Sequence, residues 1–84
     1  MTNPLTFPCS FPIKVMGHNI DAFEAAVRAI FNGHLFDTHI VFARQLSSGG
    51  KYLSITATFT AMSREQLDAT YRELNAHELV VMTL

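Results

Sequence analysis

Four histidines (His18, His34, His39 and His77), the single cysteine Cys9 and the turn Met16-Gly17-His18-Asn19 are the places where this chain could carry chemistry. A zinc site needs three or four converging ligands, usually announced by short, recognisable spacings. No two of these histidines have the i, i+4 spacing of a shared helix face, so the residues point to no metal and no cofactor. Cys9 as a nucleophile would need a positioned base, and it lies in a proline-bounded stretch poorly suited to hold one. A phosphate cradle would need an arginine or a run of glycines, whereas the turn reads Met-Gly-His-Asn. No residue is assigned a catalytic role, and the expectation is a protein that is not an enzyme.

The turn itself is the one ligand candidate. Gly17 would let a small effector approach the backbone, and a helix N-terminus just after it offers N–H groups to a carboxylate. The plainer reading is a strand–helix corner, with Gly17 supplying an unusual dihedral and Asn19 capping the helix. No charged side chain in Met16, Gly17, His18 or Asn19 is placed to grip an amino acid at both ends.

The elements that must position these residues follow from two periodicities. Residues 1–10 carry Pro4 and Pro8 among polar spacers and read as an extended arm, with Phe7 laid against a body formed by residues 11–84. Phe11, Ile13 and Val15 alternate with Pro12, Lys14 and Met16, the pattern of a strand with one buried face. Pro12 places a strand start or a free edge at that point, because it has no N–H to give a neighbour. From Ile20 the period becomes helical through Phe23, Val27 and Ile30, and Asn32-Gly33 reads as the helix end.

Residues 38–46 read as a second strand, and "SSGG" as the turn of a hairpin. The clearest alternation follows: Leu53, Ile55, Ala57, Phe59 and Ala61 against Tyr52, Ser54, Thr56, Thr58 and Thr60. Ser63 and Gln66 have the spacing of a capping box. Leu67, Thr70, Tyr71 and Leu74 mark a second amphipathic helix, and residues 78–84 form a closing strand. The order strand, helix, strand, strand, helix, strand, with right-handed crossovers, puts both helices on one face of a four-stranded antiparallel sheet. The expected fold is the ferredoxin-like α/β sandwich.

Composition bounds the function. Six Lys and Arg are scattered singly in a chain of net charge -1, which excludes the basic clusters that bind nucleic acid. No run approaches the ~18 apolar residues of a membrane span, and the first ten residues lack the basic and apolar regions of a signal peptide, so the cytoplasm is expected. Hydrophobic residues reach 49% and charged residues only 15%, a balance that favours a surface covered by a partner. The threonine face, with Tyr52, Thr56 and Thr58, and the uncharged closing strand, with Leu79 and Val81, form the expected interaction surface for self-association or a protein partner.

"FPCSFPIKVMG" resembles the opening of a small bacterial family typified by YbeD. The resemblance continues through "SSGGKYLSI", "EQLDATYREL" and the ending "VVMTL", and is looser over residues 18–45. It implies a ferredoxin-like fold close to regulatory domains of the ACT type, without an established catalytic activity. It also implies a cytoplasmic protein sometimes encoded near lipoate-attachment enzymes. The combined expectation is a regulatory or protein-interaction module; an effector-binding domain acting at the Gly17 turn is the alternative, and an uncharacterised enzyme the less favoured one.

Overall fold

The computed structural model describes residues 5–84. The elements are β1 (Cys9–His18), α1 (Asp21–His34), β2 (Val41–Leu46), β3 (Tyr52–Ala61), α2 (Arg64–Ala76) and β4 (Val80–Thr83). The sheet order is β2-β3-β1-β4, with every pair antiparallel. This is the ferredoxin-like βαββαβ sandwich.

The centre of the sheet is the β1–β3 ladder, ten residues in unbroken register from Cys9 opposite Ala61 to His18 opposite Tyr52. It starts two residues before position 11, so Cys9 and Ser10 belong to the sheet and the arm ends at Pro8. Phe7 packs against the core, while residues 1–4, Pro4 among them, lie outside the described residues. The amide and carbonyl of Lys14 both bond Leu84, so even-numbered residues of β1 direct their backbone groups towards β4. Pro12 is one of these, and β4 ends before reaching it. Its missing N–H therefore costs the sheet nothing.

Side chains alternate across the same ladder. Ile13, Val15, Leu53, Ile55, Ala57, Phe59 and Ala61 point at the helices and are buried. Phe23, Val27, Ile30 and Phe31 of α1 and Leu67, Thr70 and Leu74 of α2 close the core above them. Phe31 and Leu35 are core residues beyond the four-position stripe, and Phe31 meets Phe59 and Phe42 with ring centroids 6.2 and 6.0 Å apart. Tyr71 lies at the margin, half-buried.

The capping box forms, with one change of partner. Ser63 Oγ accepts the Gln66 N–H at 3.1 Å, and Gln66 Oε1 accepts the N–H of Met62 rather than that of Ser63. The first helix is capped differently from expectation. Ile20 occupies the N-cap position without a side-chain bond, and Asn19 reaches across to the hairpin instead. Nor does α1 stop at Asn32-Gly33: Gly33 sits inside the last turn, and the helix ends at His34. The buried Leu35 beyond it shows why, since stopping earlier would take that side chain off the core. The second and fourth strands are shorter than the apolar runs that announce them, because residues 38–40 and 77–79 are used to leave the helices.

Two aromatic residues five apart make opposite contributions. Phe31 is fully buried, whereas Phe36 is 85% exposed in the loop after α1. Phe31→Ala is expected to cost about 3–5 kcal/mol and Phe36→Ala to stay within about 0.5 kcal/mol in urea melts. Equal losses would show that the loop after α1 folds back onto the core.

Candidate functional site

The β1–α1 corner is built by packing. A Cβ placed on Gly17 would lie 2.4 Å from Phe23 Cε1 and 2.7 Å from the carbonyl oxygen of Leu79. Such distances leave no room for a side chain, so glycine lets the Phe23 ring and the segment entering β4 close on the strand. Its φ is not positive, so close approach and not an unusual dihedral accounts for the residue. The space beside its Cα is filled from inside the protein.

Asn19 then ties the corner to the β2–β3 hairpin. Its N–H donates to the Lys51 carbonyl at 3.0 Å, and its Nδ2 donates to the Gly50 carbonyl at 3.0 Å. The hairpin presents those carbonyls because Gly49 and Gly50 take φ of 87° and 74°, in the region open to glycine. His18 stacks on Tyr52 with centroids 5.0 Å apart, on the sheet face away from the helices. The first turn of α1 carries Asp21 and Glu24, which already meet the positive end of the helix dipole.

The histidines are dispersed and have separate structural surroundings. His34 Nε2 meets Glu73 Oε1 at 2.6 Å and links the two helices. His77 Nδ1 accepts the Leu79 N–H at 3.1 Å, holding the exit from α2. His39 is exposed before β2, and Cys9 is half-buried against the core. Among the described residues, no group of three His, Cys, Asp or Glu comes together. No helix is long and apolar enough to cross a membrane.

The sheet face opposite the helices is open. Tyr52, Ser54, Thr56 and Thr58 line its centre, flanked by Lys14 and Met16 of β1 and by Ala43 and Gln45 of β2. A shallow depression of about 200 Å³ lies between Lys14, Met16, Gln45, Ser47, Tyr52 and Ser54. A second of about 110 Å³ adjoins it towards Thr56 and Ala43. Lys14 and Met16 stand on this face as the alternation of β1 implies, whereas Gln45 and Ser47 are added to it by the pairing register. At the β4 edge, Val81, Met82 and Leu84 are exposed, but Leu79 is not part of that surface. It packs half-buried against the core, because β4 joins β1 through a register shift at Met16/Gly17 and the chain reaches the sheet beneath α2.

Gly17→Ala is expected to lower stability by about 1–3 kcal/mol through overpacking, and Gly33→Ala to raise it by about 0.4–1 kcal/mol, since nothing lies within 4 Å of a Cβ there. Chemical denaturation of the two variants checks this. If Gly17→Ala were neutral, the corner would have spare room after all.

Comparison with known proteins matches residues 2–84 to a family described as "Protein of unknown function (DUF493)". A UPF0250 protein of Chromobacterium violaceum is 40% identical over 79 residues, covering 93% of this chain and 89% of its own. One from Neisseria gonorrhoeae is 42% identical over 85 residues, covering 99% of this chain and 92% of its own. Among solved structures, protein HP0495 from H. pylori superposes with a TM-score of 0.77 at 14% identity, covering 99% of this chain and 88% of that one. The ACT domain from the GTP pyrophosphokinase of Chlorobium tepidum does so with a TM-score of 0.69 at 13% identity, covering 89% and 94%. At those identities the structural likeness speaks for the fold alone: ferredoxin-like, of the ACT kind. Matched over nearly its full length and about 40% identical to several bacterial relatives, the chain belongs to the DUF493 family of UPF0250 proteins, the YbeD-like family that its motifs resemble.

Proposed function

We propose that this protein is a non-catalytic interaction module that works by docking along its sheet, with the free edge of β4 as the contact for a second copy. The observation that carries the reading is that edge. Lys14 and Leu84 exchange both backbone bonds, so the neighbouring Thr83 directs its N–H and C=O away from β1 and outwards. Val81 is 59% and Leu84 65% exposed beside it, and no charge or proline follows Glu78 to repel another strand. Two copies joined there antiparallel would extend one sheet across both.

The polar groups that might otherwise do chemistry hold corners and caps. Ser63 caps α2, Ser47 Oγ accepts the Tyr52 N–H, Thr70 Oγ1 donates to the Gln66 carbonyl, and His77 braces the turn into β4. An ACT domain of the same fold occurs in a GTP pyrophosphokinase, which accords with a module that serves an enzyme. An effector at the Gly17 corner is the less favoured reading, because Phe23 occupies the room that glycine leaves.

A second docking reading has an observation of its own. The β2 edge is six residues long with uninterrupted register, and the Arg44 guanidinium is drawn back to Glu24 at 3.3 Å, away from a position guarding that edge. The register shift in the β1–β4 pair and the shortness of β4 are themselves devices that blunt an edge. Light scattering across a concentration series discriminates. The wild-type mass is expected to rise above 9.4 kDa, and Val81→Lys to return it to the monomer while Val41→Lys does not. The reverse pattern would move the contact to β2. A wild type that stays monomeric and captures no partner would defeat the docking reading.

A further inference from the structure

Charge is divided between the two faces of the molecule. Of the seven carboxylates, two lie on α1, three on α2, and Asp37 and Glu78 in the loops leaving those helices. The four arginines share that layer: Arg28, Arg64 and Arg72 are on the helices, and Arg44 reaches back to Glu24. The two lysines alone serve the other side. Lys14 stands on the open face opposite Thr56, and Lys51 holds its ammonium 5.6 Å from the Tyr52 ring centroid. The open face therefore carries cations and no Asp or Glu side chain among the described residues, while the helix layer is net negative in its side chains.

Lys14 is also unpaired. The ion pairs among the described residues join Arg28 and Arg44 to Glu24 and His34 to Glu73, and none includes Lys14. Around it stand hydrogen-bonding groups on a partly apolar floor. The Ser47 hydroxyl accepts the Tyr52 N–H and keeps its own proton free to donate. The Gln45 amide lines the same depression, with Met16 and Leu46 beside it.

The size of the depression decides which anion fits. Small-molecule sites occupy about 300–1,000 Å³ and bury roughly 70–90% of their ligand. The two adjoining hollows here measure about 200 and 110 Å³, and both are open to solvent. A small carboxylate would stay largely wet in either. A chain laid across β1, β3 and β2 would cover both hollows and Lys14 between them. A second copy of this protein is a poorer occupant, since seating its helix layer on this face is a head-to-tail contact that builds rings or filaments rather than a two-fold dimer.

We propose that the open sheet face docks an acidic segment of a partner protein, with Lys14 taking a carboxylate side chain and Gln45 and Ser47 donating hydrogen bonds beside it. This rests on the interaction-module reading but not on the β4 contact. The test uses a capped glutamate oligomer of about eight residues, long enough at roughly 3.3 Å per residue to cross the sheet. It is titrated into the full-length, isotope-labelled protein and followed by amide chemical shifts. Saturable shifts are expected at Lys14, Gln45, Ser47, Ser54 and Thr56, weakened about tenfold or more by Lys14→Glu and unchanged by Arg72→Glu. Val81→Lys should bind as the wild type does, so a failure of self-association leaves this result standing. The proposal is overturned by shifts that map to the helices, by an absence of saturable shifts, or by free glutamate producing the same shifts at equal carboxylate concentration. That last result would mark a small-carboxylate site.

Discussion

The register of the β1–β3 ladder is the constraint on which everything else depends. Side chains alternate with period two, so a slip of one residue would send Ile13, Val15, Ile55 and Phe59 to solvent and carry Lys14 and the threonines into the core. Burying a phenylalanine, leucine or isoleucine side chain is worth about 1.5–3 kcal/mol, and a domain of this size has roughly 5–15 kcal/mol in total. No slipped register could survive that exchange. The same alternation that makes a core thus creates the bare face. Because both crossovers are right-handed, the two helices cover one side and leave the other with no cover from its own chain.

The corner between β1 and α1 shows how a ligand site and a packing solution can share one sequence signature. Met-Gly-His-Asn reads equally as a backbone opened to an effector or as a tight join. The ring of Phe23 resolves it, because it occupies the position where a side chain would stand at Gly17. Asn19 then bonds the hairpin rather than its own helix, so β1, α1 and the β2–β3 turn are locked at one end of the sheet. What looks like a local cap is a long-range clamp spanning 31 residues of sequence.

Much of the fold was legible because its signals are local and repeated. The five-fold alternation of β3, the capping box at Ser63 and the helical spacing from Phe23 to Ile30 each follow from backbone geometry alone. Tertiary contacts account for the misreadings. Nothing near Asn19 announces Gly50, the helix runs past Gly33 because Leu35 is needed in the core, and Leu79 turns inward because β4 enters under α2. The candidate surface was half legible for the same reason. Thr56, Thr58 and Lys14 show themselves by alternation, whereas Gln45 and Ser47 become their neighbours only once the strands are paired.

A face that is bare, without Asp or Glu side chains among the described residues and flanked by two free edges is the feature through which such a domain can act on another molecule, and the register puts Lys14 at its centre. That placement can be measured directly. Even-numbered residues of β1 bond towards β4, so Lys14 and Thr56 form a non-hydrogen-bonded pair, whose Cα atoms approach to about 4.5 Å. A strong nuclear Overhauser contact between their Hα protons is the result that this register requires. A contact from Lys14 to Ile55 or Ala57 in its place would turn the lysine towards the helices and remove the face on which the functional reading stands.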